Sequence, residues 1–275
     1  MTRALALALA SAMVGLLVSP VRADPCEDPT TDPVALPLRD TGFDRGRAAC
    51  LRSDLSSAVS GVATIDTPRF YGTIAGALRV AGRFTRGDRV EWGFGARAVD
   101  YTFAQDAVIQ ATGFRFGPID AHVAYGGPLH VTSPRDRWAV VGTIVVPFTS
   151  STLMDTVDLA AQLAAVGTVQ ASPRWTAHVR VAGLAMGSSS AAGDHASAAL
   201  VVGADAIARI TARFRVGLGA DLQAGWRGAF DHLLVRAATQ RRIGDAYRIE
   251  LGVGLPVGGQ ERIDLGVAVG VVRDL

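Results

Sequence analysis

The sequence predicts an all-β fold, a closed antiparallel up-and-down transmembrane β-barrel of about 12 strands. Strand-length segments with an apolar residue at every second position recur from Ser57 to Val272. The connections at one end of these segments are uniformly tight, and the two longest fall at the other end. The chain also opens on an export signal. The period is clearest over Phe214–Trp226. Phe214, Val216, Leu218, Ala220, Leu222, Ala224 and Trp226 share one face, and Arg215, Gly217, Gly219, Asp221, Gln223 and Gly225 the other. Successive side chains of a strand point to opposite faces, so this segment has one greasy side and one polar or empty side. A soluble sandwich would need a second layer over every greasy side, and no segment of helical period supplies one. In a membrane barrel lipid covers that side, with aromatic residues such as Phe214 and Trp226 at the two interfaces.

Taken in order, residues 1–23 read as a signal peptide. Arg3 is the positive n-region, Ala4–Val18 the apolar stretch, and Ser19–Ala23 supplies small residues before cleavage at Asp24. The apolar stretch is shorter than the ~20 residues of a spanning helix. Residues 24–55 form a periplasmic leader, with Pro25, Pro29, Pro33 and Pro37 among many charges. Its end, Gly46–Leu55, suits a short helix or a small plug in the barrel mouth. The barrel occupies residues 56–275. Its strands are Ser57–Ile65 (the weakest), Phe70–Phe84, Val90–Phe103, Ile119–His130, Trp138–Phe148 and Val157–Gln170. Trp175–Met186, Ser197–Ala208, Phe214–Trp226, Leu233–Gln240, Tyr247–Val257 and Ile263–Val272 follow. With both termini periplasmic, the periplasmic turns are Thr85–Arg89, Thr132–Arg137, Ala171–Arg174, Arg209–Arg213 and Arg241–Ala246. The long outer connections are Ala104–Pro118 and Gly187–Ala196.

Loss of the signal takes Arg3 and Arg22 from the 27 basic residues and leaves 25 against 25 acidic ones. A neutral chain lacks the basic face of a nucleic-acid binder. Cys26 and Cys50 are the two cysteines. Both lie in the leader of an exported chain, where oxidation would join them into a disulfide worth roughly 3 kcal/mol. Neither has a histidine at metal-ligand spacing, so no metal site or cofactor is expected.

The polar strand faces place Arg79, Arg83, Glu91, Arg97, Asp120, His122, Asp158, His178, Arg180, Asp205, Asp221, Arg236, Arg248, Glu250 and Asp264 inside the barrel. Both signs occur in similar numbers. That mixture implies ion-pair networks or a water column rather than a ring selecting one charge.

Asp264-Leu-Gly266-Val-Ala-Val269-Gly-Val271 resembles the C-terminal assembly signal of bacterial outer-membrane β-barrels, although the chain ends Arg273-Asp274-Leu275 and not on an aromatic residue. That resemblance implies an outer-membrane location, a surround of lipid and delivery by the barrel assembly machinery. Gly193-Asp-His195-Ala-Ser197 contains a His-x-Ser pair that looks like the one in outer-membrane phospholipase A and the lipid A deacylase barrels. It implies an acyl hydrolase with Ser197 as nucleophile and His195 as base. The phospholipase orients its histidine with an asparagine, and this chain contains none. Three readings stay open at this point. They are a narrow passive channel for small solutes, a structural or interaction barrel with a plugged interior, and that hydrolase.

Overall fold

The structure is a computed structural model. It describes residues 49–66, 71–105, 110–115, 117–146, 157–190, 193–225, 230–259 and 263–275. The signal peptide, Cys26 and Trp226 lie outside them. Thirteen strands make up one sheet: β1 Asp54–Asp66, β2 Tyr71–Arg86, β3 Val90–Gln105, β4 Gln110–Arg115, β5 Ile119–Pro128, β6 Arg137–Val146 and β7 Val157–Ser172. The remainder are β8 Trp175–Ser190, β9 Gly193–Thr211, β10 Phe214–Gly225, β11 Phe230–Ile243, β12 Tyr247–Gly259 and β13 Ile263–Asp274. Every pairing is antiparallel. β1 pairs with β2 on one side and with β13 on the other, so the sheet closes on itself. The described residues form no helix.

Thirteen strands make twelve staves because β4 and β5 share one. β5 pairs with Val90–Ala96 of β3, and β4 with Asp100–Gln105 further along the same strand. The join lies at Gly117-Pro118, where Arg97 accepts from Gly117 N–H at 2.9 Å and donates to the Pro118 carbonyl at 3.1 Å. Proline cannot donate to a ladder, which accounts for a break at this point. The stretch Ala104–Pro118 is therefore not a simple outer loop, because it carries β4. Nor is Gly187–Ala196 a loop. Its ladder runs Ser188–His195, Ser189–Asp194 and Ser190–Gly193, leaving residues 191–192 between β8 and β9. β1 starts at Asp54, three residues ahead of the expected Ser57.

The tight connections gather at one end together with the start of β1 and the finish of β13, since Asp54 pairs with both Arg83 and Asp274. Gly87 and Gly244 adopt φ of 65° and 63° in two of these turns, a conformation that costs glycine nothing. The β5–β6 turn is organised by Asp136, whose carboxylate accepts N–H bonds from Ser133 and Gln170, each at 2.8 Å, and another from Thr132. Burial pushes this acid up, but the three backbone donors and the Thr132 hydroxyl outweigh it and hold the pKa at about 2.

Exposure alternates along the staves. On β5 Val123 is 60% exposed while Ala124 is 0%, and on β7 Leu163 is 64% exposed between buried Gln162 and Ala164. The exposed set is Val, Leu, Ile and aromatic; the buried set includes Glu91, Arg180, Asp221 and Arg248. A closed single sheet has one enclosed face, so the charges point inward and the apolar residues outward. That is the reverse of a soluble core and the arrangement lipid demands. At the turn end the outer face carries a girdle. Phe84 packs on Trp92 at 4.8 Å and Tyr125 on Trp138 at 5.8 Å, while Trp175, Phe214 and Tyr247 each open a strand.

Candidate functional site in the barrel interior

The interior is built in rows that run across neighbouring staves. In one row Arg180 of β8, Gly203 of β9 and Asp221 of β10 are direct register partners. Glycine leaves the middle position empty, and the guanidinium reaches over it to Asp221 at 2.6 Å. The row below repeats the device with Asp205, Gly219 and Arg236, joined at 2.8 Å. Arg236 also meets Asp221 at 3.1 Å, so four charges on four staves form one chain. A Cβ on either glycine would collide with the carboxylate beside it. Across the barrel Arg79 of β2 spans β3 to Asp120 of β5 at 2.6 Å, passing over Gly95. His122 and Glu91 meet at 3.0 Å beside Gly93.

A second cluster closes the turn end. Asp54, 1% exposed, is ringed by Arg52 at 3.1 Å, Arg248 at 3.4 Å and Arg83, whose Nε donates at 2.9 Å. Arg248 also pairs with Asp274 at 2.9 Å and Glu250 at 3.6 Å. Gln240 donates to Glu250 at 2.7 Å and accepts from Arg215 at 3.2 Å. A guanidinium with several carboxylates in reach tolerates burial that a lone charge would not.

The remaining wall is apolar. Ala124, Val141, Ala164, Ala182 and Val201 are successive register partners on β5 to β9, all between 0 and 5% exposed. Nearer the far end Val145, Ala160 and Leu184 cluster with Met186 and Ala199. Ala49 and Leu51 pack into the first group.

Of the residues read from the sequence as inward, Glu91, Arg97, Asp120, His122, His178, Arg180, Asp205, Asp221, Arg236, Arg248 and Glu250 are buried. Arg79 and Arg83 are part-exposed at 23% and 13%. The side chains of Asp158 and Asp264 lie outside the described set. Sequence reasoning missed Arg52, Asp54 and Asp136, which stood in the leader or in a turn. Thr143, Gln162 and Thr168 were also missed; they are neutral residues on polar faces. His195 and Ser197 both fall on β9, at positions in step with inward Val201 and Asp205, and Ser197 is exposed. Among the described residues no group of acidic, histidine and cysteine side chains is arranged to hold a metal.

No protein-family model matches the chain, and no curated protein matches it in sequence. Solved structures do match in shape. An outer-membrane channel from Pseudomonas putida F1 aligns with TM-score 0.59 at 10% identity, over 86% of this chain and 100% of that one. The translocator domain of the autotransporter NalP from Neisseria meningitidis gives 0.54 at 10%, over 87% and 91%. The KdgM porin, solved in complex with disordered oligogalacturonate, gives 0.52 at 7%, over 81% and 99%. The chain thus has the fold of the bacterial outer-membrane β-barrels, closed with twelve staves.

Proposed function

We propose that this barrel is a narrow passive channel for small solutes in the outer membrane of a Gram-negative cell. The observation that carries the reading is the inversion of the chain. Oily residues cover the outside, and the enclosed face is held by ion pairs on β1, β2, β3, β5 and β8–β13. Such a wall suits polar solutes that keep some of their water. Two proteins of like fold are named a porin and a channel, which favours transport over a purely structural barrel. The hydrolase reading lacks support, since Ser197 stands in step with the interior and not with the lipid face.

On this reading the turn end faces the periplasm, the first 23 residues are removed on export, and the assembly machinery inserts the chain. Cys26 and Cys50 join in the oxidising periplasm, in keeping with no free cysteine among the described residues. The charged residues of the rows line the route, and the alternation of the sequence assigns Asp158 and Asp264 to the same role. The test is conductance of the purified mature protein in planar bilayers, with folding checked by heat-dependent gel mobility. Discrete current steps support the channel; a folded barrel that passes no current under any condition refutes it.

A further inference from the structure

We propose that residues 49–53 are a tethered stopper, docked on the apolar inner wall of β5 to β9, and that the lumen conducts only when it leaves. This rests on the channel reading and adds its resting state. The segment leaves the start of β1 at the rim, where Ser53 accepts from Leu275 N–H at 3.2 Å. It then crosses the interior. Arg52 donates its backbone N–H to Glu91 of β3 at 2.9 Å, and Ala49 donates to the Thr168 hydroxyl of β7 at 2.8 Å. β7 stands five staves from β1 around the ring, so the strap reaches nearly the opposite wall. Leu51 is 4% exposed and Ala49 1%, packed with Ala124, Val141, Ala164 and Val201.

That wall explains the docking. A water-filled tube gains nothing from a row of five apolar residues across five strands, because each would stay wet. Covered by Leu51 and Ala49, the same row is dry. The polar wall opposite serves the other side of the strap, where Arg52 joins the Asp54 cluster through a 3.1 Å pair. Residues at this level are buried on nearly every stave, from Glu91 at 0% and His178 at 1% to Asp221 at 0% and Arg248 at 1%.

The test uses the full mature chain and two readouts. In Leu51→Asp the strap loses its apolar seat and brings a charge to it. The ratio of open to closed time in planar bilayers then rises by roughly 10- to 100-fold, as expected for removing one buried leucine. Leu51→Ala moves it the same way by less. The second readout is independent of current. Trypsin cleavage at Arg52–Ser53 of folded barrels is slow in the wild type and faster in both variants, read as the mass of chains beginning at Ser53. Wild-type cleavage as fast as that of Leu51→Asp overturns the docking. Altered cleavage with unchanged current in a conducting wild type overturns the gating. Altered cleavage with no current in any variant removes the channel reading itself and the gating with it, and leaves the docked strap. Leu51 lies outside every strand, so its variants leave the ladder intact, and heat-dependent mobility verifies this.

Discussion

The glycine saddles make a sharp demand. In Gly219→Ala the new Cβ collides with Asp205 Oδ1 and stands 2.7 Å from its Cγ and 3.0 Å from the Ala204 carbonyl oxygen. The backbone cannot yield without opening the ladder, so the carboxylate must swing out of its row. It then gives up the 2.8 Å bond to Arg236. Arg236 keeps Asp221 at 3.1 Å, so the loss is one partner of a shared cation. We expect about 3 kcal/mol, the low end of the range for a broken buried pair. The control is Gly217→Ala on the same strand and face. Its Cβ would rest 3.4 Å from Ile207 Cγ1, an ordinary contact, and the change stays within about 1 kcal/mol. Urea unfolding from phospholipid vesicles, followed by tryptophan fluorescence, measures both. Combined with Asp205→Ala, the alanine at 219 adds little, because the atom it displaces has gone. Equal stability of Gly219→Ala and Gly217→Ala, or full additivity with Asp205→Ala, would refute the saddle.

Three further outcomes are expected. Asp221→Ala leaves Arg180 without its 2.6 Å partner and lowers stability by about 3–5 kcal/mol in the same unfolding assay, whereas Arg180→Met with Asp221→Leu recovers most of the loss. Leu163→Arg, at mid-strand on the outer face, costs about 2–4 kcal/mol in vesicles, while Val131→Arg in the β5–β6 turn costs close to nothing. Asp136→Asn removes a charged acceptor from three backbone donors and costs about 1–2 kcal/mol at neutral pH. Because the folded acid sits at about 2, below its ordinary 3.8, its contribution is complete above 3.8 and is lost as pH falls through about 2. The wild type and Asp136→Asn therefore converge in stability at the acid limit.

How far the fold could be read depended on where lipid imposes a pattern. β7 and β10 lie within the apolar belt, and their period of two was plain in the residues. β4 escaped because Gly113-Phe-Arg-Phe-Gly-Pro118 has the composition of a loop, and at six residues the strand is too short to carry a clear period of two. The extension of β8 and β9 through Ser188–Ser190 and Gly193–His195 escaped for another reason. Small and polar residues occupy both faces there, so alternation vanishes although the ladder continues. In the interior, each charge could be assigned to the inner face from its own strand. The rows could not, since Arg180, Gly203 and Asp221 become neighbours only through the register of three strands. One signal was available: the glycines share a face with the charges, spaced to fall between them. The strap was legible only as a short helix or small plug within Gly46–Leu55; its seat was not, because Ala49-Cys-Leu-Arg52 carries no period of its own and its partners lie on β3 and β7.

The orientation of the faces underlies the whole account, and spin-label accessibility along β7 tests it most directly. Nitroxides are placed singly from Leu159 to Ala165 in a background with Cys26 and Cys50 replaced by serine, and the protein is reconstituted in vesicles. The prediction is a period of two. Leu159, Ala161, Leu163 and Ala165 collide readily with lipid-dissolved oxygen and poorly with an aqueous nickel chelate, and Ala160, Gln162 and Ala164 are shielded from oxygen. Greater access of the nickel chelate at Leu159 and Leu163 than at Gln162 would contradict it.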